Sequence, residues 1–243
     1  MGVVKKTFED ILYYEIEGFN QYKDIAHLFS TRIGWDQENI FKCLSKIFEL
    51  PDEKIYRAKQ IHGTNVIIID KQNNKEIQCE EADGLITNIP GIALCTYHAD
   101  CVPIYFYDKV KNVIGIAHAG WKGSLNNIVE VVIKKMVNHY GSNVGNIIAA
   151  IGPSIGVCCY EIGEDVELLF KDKYSNQEII SKRDGKLFLD LWHVNRINLL
   201  NAGVKEENIY LSNFCTGCNL HTLYSYRKEK GTKNRMITAI KLK

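Results

Sequence analysis

The sequence predicts a mixed α/β fold, and three observations carry this prediction. Short apolar or β-branched runs bounded by Gly, Pro, Asn or Asp fill the middle of the chain, which is typical of strands. Apolar side chains at three- and four-residue spacing follow, which is typical of helices packed on a core. The 243 residues, 46% hydrophobic and 24% charged, fit a globular protein, and we expect one domain over residues 1–243.

The first half of the chain supplies one predicted helix and four predicted strands. The helix covers residues 38–50 and ends before Pro51, since a residue that precedes proline is disfavoured in helices. The strands cover residues 66–70, 91–97, 103–108 and 113–117. No helical pattern separates these strands, so we expect antiparallel or mixed pairing rather than a strictly parallel sheet.

The second half alternates between the two periods. Apolar spacing from Leu125 to Tyr140 predicts a helix, with Ser124 as its N-cap and Gly141 just after its end. The later elements are predicted as strands at 146–152, 187–191, 209–213 and 236–242, and helices at 163–174 and 192–202.

Charge and composition exclude several classes of partner. The chain has 30 Lys and Arg against 29 Asp and Glu, a formal charge of +1. Nucleic acids and anionic membranes both reward a large positive excess, so we expect neither as a partner. The N-terminus does not resemble a secretory signal, and no apolar run approaches the roughly 18 residues that span a bilayer, so we expect a cytoplasmic protein.

The chain has eight cysteines and seven histidines. In a reducing compartment, cysteines serve as metal ligands, nucleophiles or buried apolar side chains more often than as a disulfide framework. We expect Cys43, Cys79 and Cys95 to be buried apolar side chains. Cys215 and Cys218 form a C-x-x-C pair, but the vicinal cysteines at 158 and 159 lack the spacing of a second pair, so the spacing does not predict a zinc knuckle.

Three residues beside turns are candidate metal ligands. His62 lies in QIHGTNV, Cys101 in HADCVP and His118 in IAHAGWKGS. Two imidazoles and one thiolate leave one position open on a tetrahedral ion, as in catalytic zinc sites, and they also suit copper. The alternative from the residues alone is a buried cysteine with two hydrogen-bonded histidines. His98 could compete as a ligand, but we expect it to line a substrate pocket or the surface.

The AHAGWKGS segment is also a candidate anion site. It reads as a strand, a glycine turn and a helix start, so we expect the N–H groups of Gly123 and Ser124 at the positive helix end. Lys122 adds a mobile positive charge. The alternative is a tight turn that only requires glycine.

The order and spacing of nine short motifs resemble those of one known family. The motifs are FSTR, QIHGTNV, ADGLIT, ADCVP, AHAGWKG, IGPSIG followed by CYEIG, LDLW, CT, and SYR followed by NRM. They run from about Phe29 to Met236 and resemble the YfiH-like family, whose members are called laccase-domain proteins, polyphenol oxidases or purine nucleoside phosphorylases. An ordered series is far more specific than any single motif.

The resemblance implies a fold, a cofactor and an activity. The fold would be a single α/β/β/α sandwich, with mixed sheets flanked by helices. His62, Cys101 and His118 would bind Zn²⁺, with Cu²⁺ as the alternative. The activity would be zinc-dependent purine nucleoside phosphorolysis with adenosine deamination, on adenosine, inosine, guanosine and methylthioadenosine. Multicopper oxidases use His-x-His pairs, which this chain lacks, so the ligand inventory supports one mononuclear site.

The same interpretation assigns candidate roles. Asp100, Cys101 and His118 would be catalytic, with Asp100 moving protons. Arg32, Lys122 and Arg227 would hold the nucleoside or the phosphate, because guanidinium groups bind phosphate bidentately; ion pairing within the fold is the alternative for each arginine. The predicted partners are a purine nucleoside and phosphate, and the oligomeric state stays open.

Three other functions fit the same residues. Cys101 as nucleophile with His118 as base would make a Cys–His hydrolase or acyl-transfer enzyme. A non-catalytic protein that binds or handles metal is the second alternative. The third is a mononuclear copper phenol oxidase, an oxidoreductase.

Overall fold

The computed structural model describes residues 2–38, 40–70, 80–175 and 177–243. The prediction for Cys79 lies outside these residues. The strands are β1 (Val3–Phe8), β2 (Ile11–Ile16), β3 (Ile25–Ser30), β4 (Ile55–Tyr56), β5 (Val66–Ile69), β6 (Gly84–Thr87), β7 (Ala93–His98), β8 (Val102–Asp108), β9 (Val113–Ala119), β10 (Ile147–Ile151), β11 (Glu161–Ile162), β12 (Ile180–Arg183), β13 (Lys186–Leu189), β14 (Ile209–Leu211) and β15 (Met236–Leu242). The helices are α1 (Ile40–Phe48), α2 (Trp121–Leu125), α3 (Ile128–Tyr140), α4 (Glu164–Lys173) and α5 (Leu191–Asn201).

Two six-stranded sheets and one small sheet organise the described residues. The first sheet has the order β1-β2-β3-β15-β7-β4, the second β14-β10-β8-β9-β6-β5, and the third β11-β13-β12. In the second sheet β8 and β9 form an antiparallel pair, whereas β5 pairs with β6 in parallel. The predicted mixed pairing is therefore confirmed.

Among the described residues, three large apolar cores lie between four layers of structure, and a smaller apolar cluster surrounds Phe29 and Leu223. Helix α1 packs Leu44 and Phe48 on the outer face of the first sheet. Phe19 and Tyr105 belong to the core shared by the two large sheets. Helices α3 and α5 cover the other face of the second sheet, where Val132 is fully buried. This is the α/β/β/α arrangement that the motifs imply, and the mixed α/β class is confirmed.

The helix predicted from Leu125 is divided in two. Helix α2 ends at Leu125, and Asn127 takes a left-handed backbone (φ 60°) between α2 and α3. The Asn127 side chain accepts a hydrogen bond from the Glu130 N–H at 3.2 Å, so Asn127 is the N-cap of the longer helix. The prediction of Ser124 as N-cap is therefore wrong. Gly141 ends α3 in the left-handed region (φ 66°), as predicted.

Strand pairing in the second sheet positions the candidate site. Pro103 of β8 lies opposite His118 of β9, and Val102 lies opposite Ala119. The residue just before β8 therefore lies beside the end of β9. Among the described helices, none is both long and apolar enough to cross a membrane.

Candidate active site

His62, Cys101 and His118 come together at one end of the second sheet. Their ligand atoms, one ring nitrogen from each histidine and the Cys101 sulfur, all lie within 4.8 Å of one another. Cys101 directly precedes β8 and His118 lies near the end of β9, so the antiparallel pairing brings both to the same edge. His62 arrives from the turn before β5 with a left-handed backbone (φ 59°), which is unusual for a non-glycine residue.

Asp83 fixes the relative positions of the two histidines. This carboxylate is fully buried and accepts hydrogen bonds from the N–H groups of His62 at 3.0 Å and Gly63 at 2.7 Å. It also accepts from His118 Nδ1 at 2.8 Å. With Nδ1 donating to a carboxylate, Nε2 is the ring nitrogen of His118 that remains available as a ligand. A buried aspartate thus sets both the His62 turn and the His118 ring.

The electrostatics favour a thiolate in this cluster. Burial alone would raise the pKa of Cys101, but the charges and hydrogen bonds of His118 and His62 bring it below the usual value. Burial alone would lower the pKa of His118, but the Cys101 thiolate and Asp83 raise it. Burial would also raise the pKa of Asp83, yet its hydrogen bonds from His118 and Gly63 hold it below the usual value. The deprotonated thiol is the form that binds metals.

The donor set fits a single metal ion. Two imidazole nitrogens and one thiolate suit zinc or copper, and three protein ligands leave a position open. Gly120 keeps the space beside these ligands clear, since a Cβ there would lie 3.2 Å from Cys101 Sγ and 3.2 Å from His62 Cδ2. Any larger residue would crowd the donor atoms.

A cavity of about 800 Å³ opens from this cluster. Aromatic and cationic side chains share its wall with the three candidate ligands. The aromatic residues are Tyr97, Trp121, Tyr160 and Tyr226, and the cationic residues are Lys59, Arg227 and Arg235. A volume of roughly 300–1,000 Å³ with flat apolar walls and few charged groups is typical of small-molecule sites.

Asp100 lies in the same wall, next to Cys101. Its side chain accepts hydrogen bonds from Thr216 Oγ1 at 2.6 Å and from the Arg227 N–H at 2.7 Å. Its backbone is also in the left-handed region (φ 90°), a second strained position at this site. Both carboxylate oxygens are held in place, so the carboxylate has one fixed orientation in the cavity wall.

The structure separates the three cations expected at the substrate. Arg227 lines the cavity, with its guanidinium 5.0 Å from the centre of the Tyr160 ring. Arg32 forms an ion pair with Glu229 at 2.5 Å and stacks on Tyr224, and it is not part of the described cavity wall.

Lys122 is exposed and also lies outside that wall, with its Nζ 5.5 Å from the centre of the Trp121 ring. The Ser124 N–H is bonded to the Gly120 carbonyl at 2.8 Å inside α2, so the prediction that this N–H faces an anion is wrong.

Sequence reasoning misplaced one histidine and missed one carboxylate. His98 is 1% exposed and is held between Thr96 Oγ1 and the Cys101 carbonyl, so the predicted pocket or surface position is wrong. Asp83 was not identified as functional, although it is the acidic residue of ADGLIT, directly before an apolar strand. A charged residue entering a buried strand was the available signal.

The fold and the site together define a class: a layered α/β protein with a candidate mononuclear metal centre at the base of an aromatic cavity. The chain belongs to the family described as multi-copper polyphenol oxidoreductase laccase, whose model matches residues 36–243. This confirms the family that the motif series indicates.

Relatives and solved structures support the same placement. The purine nucleoside phosphorylase of Clostridium acetobutylicum is 36% identical, over 99% of this chain and 99% of its own length. Adenosine deaminase RL5, from an unknown prokaryotic organism, is 34% identical, over 77% of this chain and 75% of its own. The crystal structure of YlmD from Geobacillus stearothermophilus superposes with a TM-score of 0.90 at 25% identity and covers both chains fully. Relatives of this chain are thus named as enzymes of purine nucleosides.

Proposed function

We propose that this protein is a metal-dependent enzyme that cleaves purine nucleosides with phosphate and also deaminates adenosine. The observation that carries the proposal is a three-ligand cluster, His62, Cys101 and His118, facing a cavity of about 800 Å³. The names of the relatives support purine nucleosides as the substrate class. The proposed substrates are adenosine, inosine, guanosine and methylthioadenosine.

Zinc is the proposed metal, held by His62, Cys101 and His118, and copper is the alternative for the same ligands. When bound, such an ion supplies a Lewis acid at the open side of the cluster. Asp83 keeps the His118 ring oriented and places the His62 turn. Gly120 leaves room beside the donor atoms.

The aromatic wall would bind the base. A purine is flat and aromatic, so it gains both apolar burial and stacking against tyrosine or tryptophan rings. Tyr160 is 9% exposed and directly precedes β11, and Trp121 is the first residue of α2. This wall favours a nucleoside over a small aliphatic substrate.

Phosphorolysis breaks the bond between C1′ and the base nitrogen and joins C1′ to a phosphate oxygen, giving a free base and ribose 1-phosphate. The proton carried by phosphate ends on the base. We assign the phosphate contact to Arg227 and Arg235, because both line the cavity. The Arg32 guanidinium is paired with the Glu229 carboxylate, and Lys122 lies outside the described wall. Neither Arg32 nor Lys122 is therefore assigned a direct phosphate contact.

Deamination adds water at C6 of adenosine and releases ammonia, giving inosine. Protons must leave the water and reach the departing nitrogen. Asp100 is the assigned carboxylate for this transfer, because it lines the cavity beside Cys101 and its orientation is fixed by Thr216 and Arg227.

The test is elemental analysis of the purified protein, followed by incubation of adenosine with and without phosphate. We expect adenine and ribose 1-phosphate with phosphate, and inosine with ammonia without it. Cys101→Ala should reduce both rates at least about 10³-fold. Cys43→Ala is the matched control. It removes a buried thiol that α1 contributes to the core and should keep full activity. Full activity in the Cys101→Ala protein would overturn the proposal, as would phenol oxidation that scales with bound copper.

One further arrangement favours a second candidate function. Asp83, His118 and Cys101 form a connected series of carboxylate, imidazole and thiolate, the order used by cysteine hydrolases. A chelator separates the two functions: it should abolish nucleoside turnover if the metal is required and leave a Cys–His hydrolase active. Iodoacetamide should inactivate such a hydrolase even after chelation.

A further inference from the structure

Four cysteines outside the proposed catalytic centre form a second cluster. Cys158 and Cys159 follow β10, and Cys215 and Cys218 follow β14. Their four sulfur atoms all lie within 4.8 Å of one another. Cys218 Sγ lies 3.5 Å from Cys158 Sγ and 3.6 Å from Cys159 Sγ. The spacing of the vicinal pair argued against a second half-site, and the structure contradicts that argument by bringing both pairs together.

The distances match a four-thiolate metal site. Four sulfurs about 2.3 Å from a tetrahedral zinc ion are separated from one another by about 3.8 Å. The observed spacings bracket this value, so small side-chain rotations suffice for all four to reach one ion. Two disulfides would require only two short sulfur–sulfur distances, whereas here all four sulfur atoms are close to one another, as a single shared ion requires.

The backbone around the cluster brings the two segments close together. The Thr216 N–H donates to the Ser154 carbonyl at 3.0 Å, and the Ser154 N–H donates to the Phe214 carbonyl at 3.2 Å. The Gly156 N–H donates to Cys215 Sγ at 3.2 Å, a contact that stabilises a metal-bound thiolate. Gly217 permits the approach, because a Cβ there would lie 3.0 Å from Cys159 Sγ.

Burial and charge are also consistent with a metal. Cys215 is buried while Cys158 and Cys218 are exposed, so an ion can enter from solvent. Four thiolates and one dication carry a net charge of −2. The Lys228 Cγ lies 3.3 Å from the Cβ position of Gly217, and the charge of Lys228 acts on Cys218. A cation there offsets the excess negative charge.

We propose that Cys158, Cys159, Cys215 and Cys218 bind one zinc ion as a structural site, separate from the His62, Cys101 and His118 centre. Four protein ligands leave no open position for a substrate, which is the property of a structural rather than a catalytic zinc site. The site would join the segment after β10 to the segment after β14.

This structural site would hold together two segments that reach the proposed catalytic cavity. Tyr160, which follows Cys159, lines the cavity. Thr216, which follows Cys215, donates its hydroxyl to Asp100. Each of the two zinc-linked segments therefore contains a residue that lines the cavity or contacts the carboxylate assigned to proton transfer.

The test counts zinc in four purified proteins. We expect two zinc ions in the wild-type chain, one in Cys101→Ala, one in Cys218→Ala and none in the double variant. Cys218 is exposed, so its truncation opens no internal cavity. Val157→Ala, a half-buried neighbour on the same segment, is the matched control and should keep two ions.

The Cys101→Ala background keeps this test independent of the proposed enzyme activity. In that protein, cobalt(II) in place of zinc should give the intense visible spectrum of a tetrahedral thiolate complex, and adding Cys218→Ala should abolish it. A chelator should lower the Tm of Cys101→Ala by at least about 5 °C, because the ion binds the folded chain. An unchanged zinc count in Cys218→Ala would overturn the proposal, and so would an intact mass that shows two disulfides in freshly purified protein.

Discussion

The two thiol-containing clusters of this protein differ in ligand number and in what adjoins them. The cluster of His62, Cys101 and His118 offers three ligands and opens into a cavity of about 800 Å³. The cluster of four cysteines offers four ligands, two of them at the surface. Three protein ligands leave one coordination position open for a substrate, and four do not. Zinc would therefore be catalytic at the first cluster and structural at the second.

The supporting residues differ in the same direction. Around the three-ligand cluster, a buried carboxylate, Asp83, orients both histidines and two residues have left-handed backbones. Around the four-cysteine cluster, the contacts are backbone hydrogen bonds between two chain segments. A buried carboxylate and two left-handed backbones lie where catalysis is proposed, whereas hydrogen bonds between two chain segments lie where the structural metal is proposed.

Among the residues that support the two clusters without being ligands, the largest effect is expected from Asp83→Asn. The amide cannot accept from both the His62 turn and His118 as the carboxylate does, so the His118 ring loses its fixed orientation. We expect the metal affinity of the three-ligand site to fall about 10–100-fold and kcat/KM to fall at least as much. Metal titration and nucleoside assays measure both quantities.

Asp108→Asn is the matched control for that substitution. Asp108 is also fully buried in the second sheet and accepts backbone hydrogen bonds from Val110 and Lys111 at its own strand end. It should lose stability while keeping metal affinity and activity. Equal loss of activity in the two variants would show that Asp83 matters only for folding.

The second effect concerns the phosphate contact. Arg227→Lys keeps the charge but removes the planar fork that binds phosphate through two hydrogen bonds. We expect the KM for phosphate to rise about tenfold, with deamination of adenosine changed much less. Arg183→Lys is the control, since Arg183 stacks on Phe188 and is not part of the described cavity wall. Equal effects on both reactions would remove Arg227 from the phosphate site.

A smaller effect is expected where the two clusters meet. Thr216→Val removes the hydroxyl that donates to Asp100 at 2.6 Å and keeps the shape of the side chain. We expect kcat to fall about fivefold with the zinc count unchanged, because a single hydrogen bond to a charged group is lost. Thr216→Ser should restore the rate. If serine fails to restore it, Thr216 acts through packing rather than through Asp100.

Much of the fold was readable from the sequence, and the physical reason is local. Strands such as β8 and β15 are continuous apolar runs bounded by turn residues, so their predicted positions lie within one residue of the observed ones. The N-terminal strand β1 was missed, because its lysines and partly exposed side chains give no apolar run. The break between α2 and α3 was also missed, since it depends on one left-handed asparagine, Asn127.

The site was predicted only for the residues to which the family resemblance assigns a role. The contacts of Asp83 with His118 span 35 positions, and the contact between Cys158 and Cys218 spans 60. Such pairings depend on how distant strands are ordered in the sheet, which no local pattern states. The partner of Arg32 is a similar case, because Glu229 lies 197 positions away.

The smallest effect on catalysis is expected from His27, a buried histidine remote in function from both clusters. His27 Nε2 accepts a hydrogen bond from the Ile16 N–H at 2.8 Å, and burial lowers its pKa to about 3. Between pH 6.5 and pH 3 the unfolded chain therefore binds a proton that the folded chain does not. The contribution of His27 to the free energy of unfolding is therefore fully present above pH 6.5. It falls as the pH drops through this window, by about 1.4 kcal/mol per pH unit at most.

His27→Gln tests whether acid sensitivity comes from this residue or from the cysteine and histidine clusters. Glutamine can accept the Ile16 N–H without titrating, so we expect the variant to lose less stability than the wild-type chain between pH 7 and pH 4. Its turnover at neutral pH should be unchanged, because His27 packs against Phe19 and Tyr105 in the core between the sheets. Denaturant unfolding at each pH measures the difference, and exposed His139→Gln is the control. Parallel curves for the His27→Gln and wild-type proteins would place the acid sensitivity in the two clusters, whose ligands are common to both proteins and must lose their protons to bind metal.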